Sequence, residues 1–350
     1  MRAFYKKHVL IFKNPSGTSR GILKKKETWF IILNVEDRFG IGECGLLRGL
    51  SIDDVPEYEE KLKWVCLNVN LGLKELLEQL TDFPSIQFGI EQAFLSLESL
   101  NPFQLFSSDF TLKNKPIVIN GLIWMGNKDF MLEQIAKKIA TGFNCIKMKI
   151  GAIDFNTELE LLALIRKKYS KKIIEIRVDA NGAFTEKDVM YKLEQLAKLN
   201  IHSIEQPIKQ GNWKSMANLC ANSPLPIALD EELIGIKSLD KKNSLLDAIQ
   251  PQYIILKPSL LGGYNGSLEW IKLAESKKIK WWITSALESN IGLNSIAQWV
   301  YTLNTDMPQG LGTGGLYTNN FKSPLNVANG NLYYRNGLSW QNDLIQQLCI

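Results

Sequence analysis

The feature that most restricts this chain is a rhythm: short apolar runs that each end on a charged side chain, recurring at intervals of about 25 to 30 residues. The run 142–150 ends in Lys147-Met148-Lys149-Ile150, Ile173 to Val178 is closed by Asp179, Ile201 to Ile204 by Glu205, Leu225 to Leu229 by Asp230, and Tyr253 to Leu256 by Lys257. Stretches with apolar residues at helical spacing alternate with them, at 131–141, 157–169, 185–199, 213–221 and 268–277. Strand alternating with helix builds a parallel sheet with right-handed crossovers, and this repeat length closes such a sheet into a (β/α)8-type barrel. The carboxyl ends of barrel strands meet at one face. Charges far apart in sequence therefore converge on a single pocket.

Alternate side chains of a strand share a face, so Lys147 and Lys149 point together while Met148 and Ile150 point away. Two ammonium groups so close need anions nearby, or a use for a neutral amine. Asp179, Glu205 and Asp230 supply the anions, yet carboxylates at neighbouring strand ends cannot sit together uncompensated without one keeping its proton. A divalent cation removes that conflict, and an all-oxygen set suits Mg²⁺ or Mn²⁺ better than zinc or copper. A salt bridge to a surface lysine is the plainer reading of a lone Asp; three acids in register favour the metal. Asn181 is placed to hold a metal-bound water or a substrate oxygen, or to cap the next helix. Partly desolvated and among like charges, Lys149 or Lys257 is expected to be lowered from about 10.4 towards 7 to 8, where an amine serves as a general base. A base on one side and a cation on the other is what removal of a proton next to a carboxylate requires.

Ahead of the barrel the pattern differs. Val9 to Asn14 and Thr28 to Val35 read as strands, and 15–21, with Arg20, as a mobile loop suited to closing over an anion or to being plain surface. Ser51 with Asp54 predicts a capping box and a helix through Val69; Pro84 predicts the first turn of a helix over 86–100. Strands followed by helices make an α+β domain, expected over 1–112. The barrel is expected over 113–320, with further strands at 117–123, 281–284 and near 310–312. The segment 321–350 regains strand and turn character and is expected to return to the first domain.

Several function classes drop out. Hydrophobic content of 45% and charged content of 22% are those of a soluble globular protein. No apolar run reaches the roughly 18 residues of a membrane span, and the first ten residues lack a secretory pattern, so the cytoplasm is the expected compartment. The scattered cysteines, without Cys-x-x-Cys, argue against a disulfide framework or a zinc site. With His8 and His202 as the only histidines, a histidine triad is nearly excluded. A net charge of +5 is spread over lysines without interleaved aromatics, so no nucleic-acid partner is expected. The expected partner is a small carboxylate; a homo-oligomer is compatible with the sequence.

Taken together, Lys147-Met148-Lys149, Asp179-Ala180-Asn181, Glu205-Gln206-Pro207, Asp230-Glu231 and Lys257-Pro258 resemble the enolase superfamily in its muconate-lactonizing subgroup. The resemblance implies a (β/α)7β modified TIM barrel with an N-terminal α+β capping domain completed by the C-terminal segment, and a lysine base working with Mg²⁺. Within the subgroup, Thr18 to Gly21, Gly42 to Gly45, Ser285 to Ser289 and Gly310 to Leu316 look like segments of the o-succinylbenzoate synthase family, which dehydrates 2-succinyl-6-hydroxy-2,4-cyclohexadiene-1-carboxylate in menaquinone synthesis. That likeness implies Lys149 as base, Lys257 as stabiliser of the enediolate from the opposite face, and Lys147 as electrostatic assistant. It implies Asp179, Glu205 and Asp230 as ligands of Mg²⁺, with Mn²⁺ as substitute, and Asn181, Ser285, Glu288, Arg20, Gly312 and Thr313 as substrate contacts. Glu232 stands where the family often has Ser. The alternative within the subgroup is N-succinylamino acid racemase or a related epimerase or cycloisomerase.

Overall fold

The computed structural model describes residues 1–18, 21–341 and 343–349. Strands β1 (Arg2–Thr18) and β2 (Gly21–Val35) form one long antiparallel hairpin, to which β3 (Arg38–Cys44) adds on the far side of β2. The ladder runs from Arg2 opposite Asn34 to Thr18 opposite Gly21, with an irregularity between Ile11 and Ser16. The expected loop over 15–21 is therefore mostly strand. Pro15 has no N–H to give a ladder, and it falls in the irregular stretch where none is needed.

Alternation along β2 gives the sheet two buried faces. Trp29, Ile31 and Leu33 pack with residues of α1 (Tyr58–Leu67), α2 (Leu73–Glu78) and α3 (Pro84–Glu98), among them Leu62, Val65, Leu76, Ile86 and Ile90. Phe30 and Ile32 meet Ile41, Ile291, Phe321, Leu344 and Leu348. The cap expected at Ser51 does not start a helix: its Oγ accepts from Leu47 N at 2.9 Å, while Asp54 pairs with Arg48 at 2.5 Å and accepts from Gly49 N at 2.8 Å. These contacts close a loop, and α1 begins only at Tyr58.

The seam between sheet and helix is very close. A Cβ on Gly42 of β3 would lie 1.9 Å from the Gly89 carbonyl oxygen and 2.8 Å from the Ala93 nitrogen of α3. Backbone cannot yield there as a flexible side chain can, so Gly42→Ala is expected to cost about 2 to 4 kcal/mol of stability. A thermal melt that left the midpoint unchanged would contradict this packing.

After α4 (Asp109–Lys113) and β4 (Ile117–Val118) the βα rhythm runs as the sequence suggests: β5 (Gly121–Ile123), α5 (Lys128–Ala140), β6 (Cys145–Lys149), α6 (Phe155–Lys168), β7 (Glu175–Asp179), α7 (Val189–Lys198), β8 (Ser203–Glu205), α8 (Trp213–Asn222), β9 (Ile227–Leu229), α9 (Leu239–Ile249), β10 (Tyr253–Leu256), α10 (Pro258–Leu261), α11 (Gly263–Ser276), β11 (Lys280–Ile283) and α12 (Asn290–Thr302). Strands β5 to β11 pair in parallel in chain order. Closure comes from two residues. Gln309 bridges Ile119 and Gly310 bridges Thr284, both in parallel, so the eighth strand is reduced to 309–310. The final hairpin, β12 (Leu325–Ala328) with β13 (Asn331–Tyr334), pairs with β4 at the entry to the barrel. The short helix α13 (Leu344–Cys349) then sets Leu344 and Leu348 against the N-terminal sheet.

Candidate active site

Counting β5 as the first barrel strand and 309–310 as the eighth, β6 is second and β10 sixth, half the circumference apart. Lys147 and Lys149 thus rise from one wall, and Lys257, the residue after β10, from the opposite one. Asp179 ends β7, Glu205 ends β8 and Asp230 follows β9, so the acids fill the arc between the lysines. Register fixes the row: Lys149 is opposite Asp179, and Asp179 opposite Glu205. Lys147 and Lys149 are each 8% exposed, and the acids 1–2%.

Buried charges at this density must be paired. Lys147 Nζ donates to Glu205 Oε2 and lies 3.0 Å from Asp179 Oδ2; Lys149 Nζ donates to the same Asp179 oxygen at 2.9 Å and to Asn181 Oδ1 at 2.6 Å. Lys257 Nζ donates to Asp230 Oδ2. Asn181 does not cap the next helix. With φ at 45° it turns back into the site, its N–H reaching Asp179 Oδ1 at 3.1 Å and its amide donating to Glu231 Oε1 at 3.0 Å.

The lowered pKa expected from crowding is not found at Lys257, and the neighbouring Lys147 is not lowered either. Burial lowers both, but Asp230 and Glu205 outweigh it at Lys257, and Asp179 and Glu205 at Lys147, leaving each raised. At Asp179, burial raises the carboxyl and the two lysines of β6 overcome it, holding it well below the usual range; Lys257 does the same for Asp230. Glu205 goes the other way. Burial, with the charge of Asp179 beside it, pushes its carboxyl well above 4.5.

Among the described residues, no three His, Cys, Asp or Glu side chains are gathered as a finished metal cradle; the lysines hold the acids instead. The donor set nevertheless fits a hard divalent cation. All three acids are buried oxygen donors at adjacent strand ends, and Glu205 Oε1 is buried with no hydrogen-bond partner. That orphan oxygen is a site short of one positive neighbour.

The lysines, Asp179 and Asn181 form the polar wall of a cavity. Ser285 and Thr313, whose hydroxyls are 2.7 Å apart, and Gly312 line it on the side of the last two strands. Leu23, Leu47 and Leu50 cover it from the N-terminal domain, and Asn120 and Trp124 line it from the first barrel strand. These five escaped the sequence reading, because an isolated leucine on a hairpin or a loop carries no periodic signal. Arg20 lies outside the described residues. Glu288 is not part of the cavity wall: fully buried behind it, its Oε1 accepts from Ser259 Oγ at 2.5 Å. Glu288, expected as a substrate contact, ties the loop after β11 to α10.

A parallel barrel closed by a vestigial strand, with opposed lysines and three acids at its carboxyl face, defines a known class. Residues 131–342 match the family described as Enolase C-terminal domain-like, and the chain belongs to that family. The chain is similar to the o-succinylbenzoate synthase of Desulfotalea psychrophila, 47% identical over an alignment of 361 positions, gaps included, that covers 94% of this chain and 98% of that protein. The crystal structure of MenC from Desulfotalea psychrophila LSv54 superposes with a TM-score of 0.84 at 44% identity, covering 95% and 99% of the two chains. At 21% identity, the muconate lactonizing enzyme of Pseudomonas fluorescens complexed with muconolactone shares the fold over 99% of this chain and 98% of its own, with a TM-score of 0.82. Members of this superfamily typically use a divalent metal.

Proposed function

We propose that this chain is an o-succinylbenzoate synthase, a carbon–oxygen lyase that removes water from 2-succinyl-6-hydroxy-2,4-cyclohexadiene-1-carboxylate to give 2-succinylbenzoate for menaquinone synthesis. The observation that carries the chemistry is the placement of Lys149 and Lys257 on opposite walls of one cavity, with the acids on the arc between. The identity with the Desulfotalea synthase over nearly the whole chain carries the particular reaction.

Lys149 takes the proton on the carbon next to the substrate carboxylate. The electron pair left behind spreads onto the carboxylate oxygens, where the Lys257 ammonium on the far wall opposes the growing charge. The ring C–O bond then breaks, and the hydroxide that leaves takes up the proton that Lys149 accepted, so one water is lost for each benzoate formed and the amine is regenerated. Asp179, Glu205 and Asp230 would hold Mg²⁺, or Mn²⁺ in its place, which when bound supplies Lewis-acid stabilisation to the carboxylate. Lys147, hydrogen-bonded to Glu205 and beside Asp179, keeps the acids in place and adds positive charge behind the base. Ser285, Thr313 and Gly312 offer polar and small surfaces to the remainder of the substrate, against the leucines of the cap.

The substrate class is a small carboxylate and the proposed compartment the cytoplasm; no helix among the described residues is long and apolar enough to cross a membrane. The direct assay is loss of the diene's absorbance. It is expected to require Mg²⁺ or Mn²⁺ and to stop on addition of a chelator. Metal-replete protein that leaves the diene intact, but exchanges the alpha proton of N-succinylamino acids in deuterated water, would replace this reading with the racemase. The same opposed lysines suit that reaction too, and the Thermus thermophilus N-succinylamino acid racemase is 29% identical over 161 residues.

A further inference from the structure

Lys257 is followed by very little slack. It is the N-terminal flanking residue of α10, its carbonyl accepts from Leu260 N at 2.8 Å, and Gly262 and Gly263, with φ of 85° and 72°, turn the chain directly into α11. The first N–H groups of α11 do not face water. A carboxylate from the N-terminal domain, Glu91 of α3, accepts from Tyr264 N at 2.6 Å and from Asn265 N at 3.3 Å. Glu91 is 2% exposed, and a Cβ at position 263 would come within 2.0 Å of its Oε2, so the turn must be glycine for the carboxylate to reach the helix end. Tyr264, thus held, packs edge-on against Phe88 of α3 with ring centres 5.3 Å apart, and its hydroxyl meets Ser295 of α12.

A second carboxylate of the same domain repeats the arrangement one helix further on. Glu43 of β3 accepts from Ser289 N and Gly292 N, each at 2.9 Å, at the start of α12. The cap thus grips the barrel through the ends of the two helices that follow the Lys257 and Ser285 strands. Negative groups belong at helix N-termini, but here they come from another domain.

We propose that Glu91 is a positioning residue for Lys257: by fixing the start of α11 it sets where the short α10 turn begins, and hence where the far-wall amine stands. The inference rests on the proposed role of Lys257. It makes the N-terminal domain part of the catalytic frame as well as the cover of the cavity. Both oxygens of Glu91 are committed to N–H donors, so a proton on either one must disturb the grip. Burial, only partly offset by those two hydrogen bonds and a third from the Asn265 side chain, pushes the carboxyl up to about 7. The charged groups around this crevice are Lys242, held by Glu269 and the Gly266 carbonyl, Lys237, paired with Asp82, and Glu78; α10 brings none.

The test is Glu91→Gln, which keeps the size and cannot ionise; if the Gln protein does not fold, Glu91→Asp, whose shorter arm cannot reach both N–H groups, is read through kcat and the labelling below. At pH 8 kcat for the diene is expected to fall about 10- to 100-fold, the effect of a small misplacement, with KM within about 2-fold. Wild-type activity should also decline as the pH drops through about 7, and this limb should be missing from Glu91→Gln. A variant with wild-type kcat and an unchanged acid limb, whatever its melting point, overturns the proposal. A second readout is independent of the reaction. Labelling by formaldehyde and cyanoborohydride, followed by mass spectrometry, should show Lys257 altered in rate by about 3-fold or more relative to Lys149 in the variant, as a displaced amine requires; equal relative rates overturn the proposal. If the wild type does not turn over the diene, the proposed function fails and the labelling still decides the role of Glu91.

Discussion

Lys149→Ala is expected to lower kcat for the diene by about 10²- to 10⁴-fold, the usual worth of a positioned general base, while the protein stays folded and keeps its metal. Lys149 donates to Asp179 and Asn181, its neighbours in the cavity wall. Without it, Asp179 retains Lys147 at 3.0 Å, so the acid row keeps a counter-charge. Steady-state rates and a metal titration on the same preparation check both halves. A variant with more than about a tenth of wild-type kcat would show that the base lies elsewhere.

Glu205→Gln is expected to move activity and stability in opposite directions. Turnover should fall about 10³-fold, equivalent to roughly 4 kcal/mol of lost stabilisation. The metal-free variant should melt at the same temperature as the wild type or higher. The physical reason is the position of Glu205, buried in register with Asp179 and close to Asp230, with one oxygen lacking any hydrogen-bond partner, while Lys147, its ion-pair partner, keeps Asp179 at 3.0 Å when Glu205 loses its charge. Such a charge contributes little to the fold and is retained for what it binds. A clear loss of stability with catalysis preserved would make Glu205 a structural ion-pair member instead.

Most of the site could be read in the sequence because barrel geometry converts order into place. Asp179, Glu205, Asp230 and Lys257 each follow an apolar run, and a parallel barrel brings every such end to the same face. Local context decided the rest. Helix α12 was missed because Ile291 to Val300 are all buried, which erases the amphipathic stripe that marks a surface helix. The residues 15–18 looked like a loop by composition, and pairing with β2 overrode that propensity. Glu288 sits in a run that resembles the synthases, yet only packing could show its carboxylate turned towards Ser259. The raised lysines came from the same acids that had been taken as metal ligands: a pair close enough to share a cation is close enough to hold an ammonium. Glu91 gave no signal at all, since nothing in one helix announces that it caps another 173 residues away.

The account depends on one arrangement, which a crystal structure with Mn²⁺ and 2-succinylbenzoate tests directly through the anomalous signal. It predicts a single metal peak about 2.1 Å from oxygens of Asp179, Glu205 and Asp230, with the product carboxylate beside it and the Lys149 and Lys257 amines on opposite faces of the ring. A metal bound elsewhere, or both amines on the same side of the product, would contradict it.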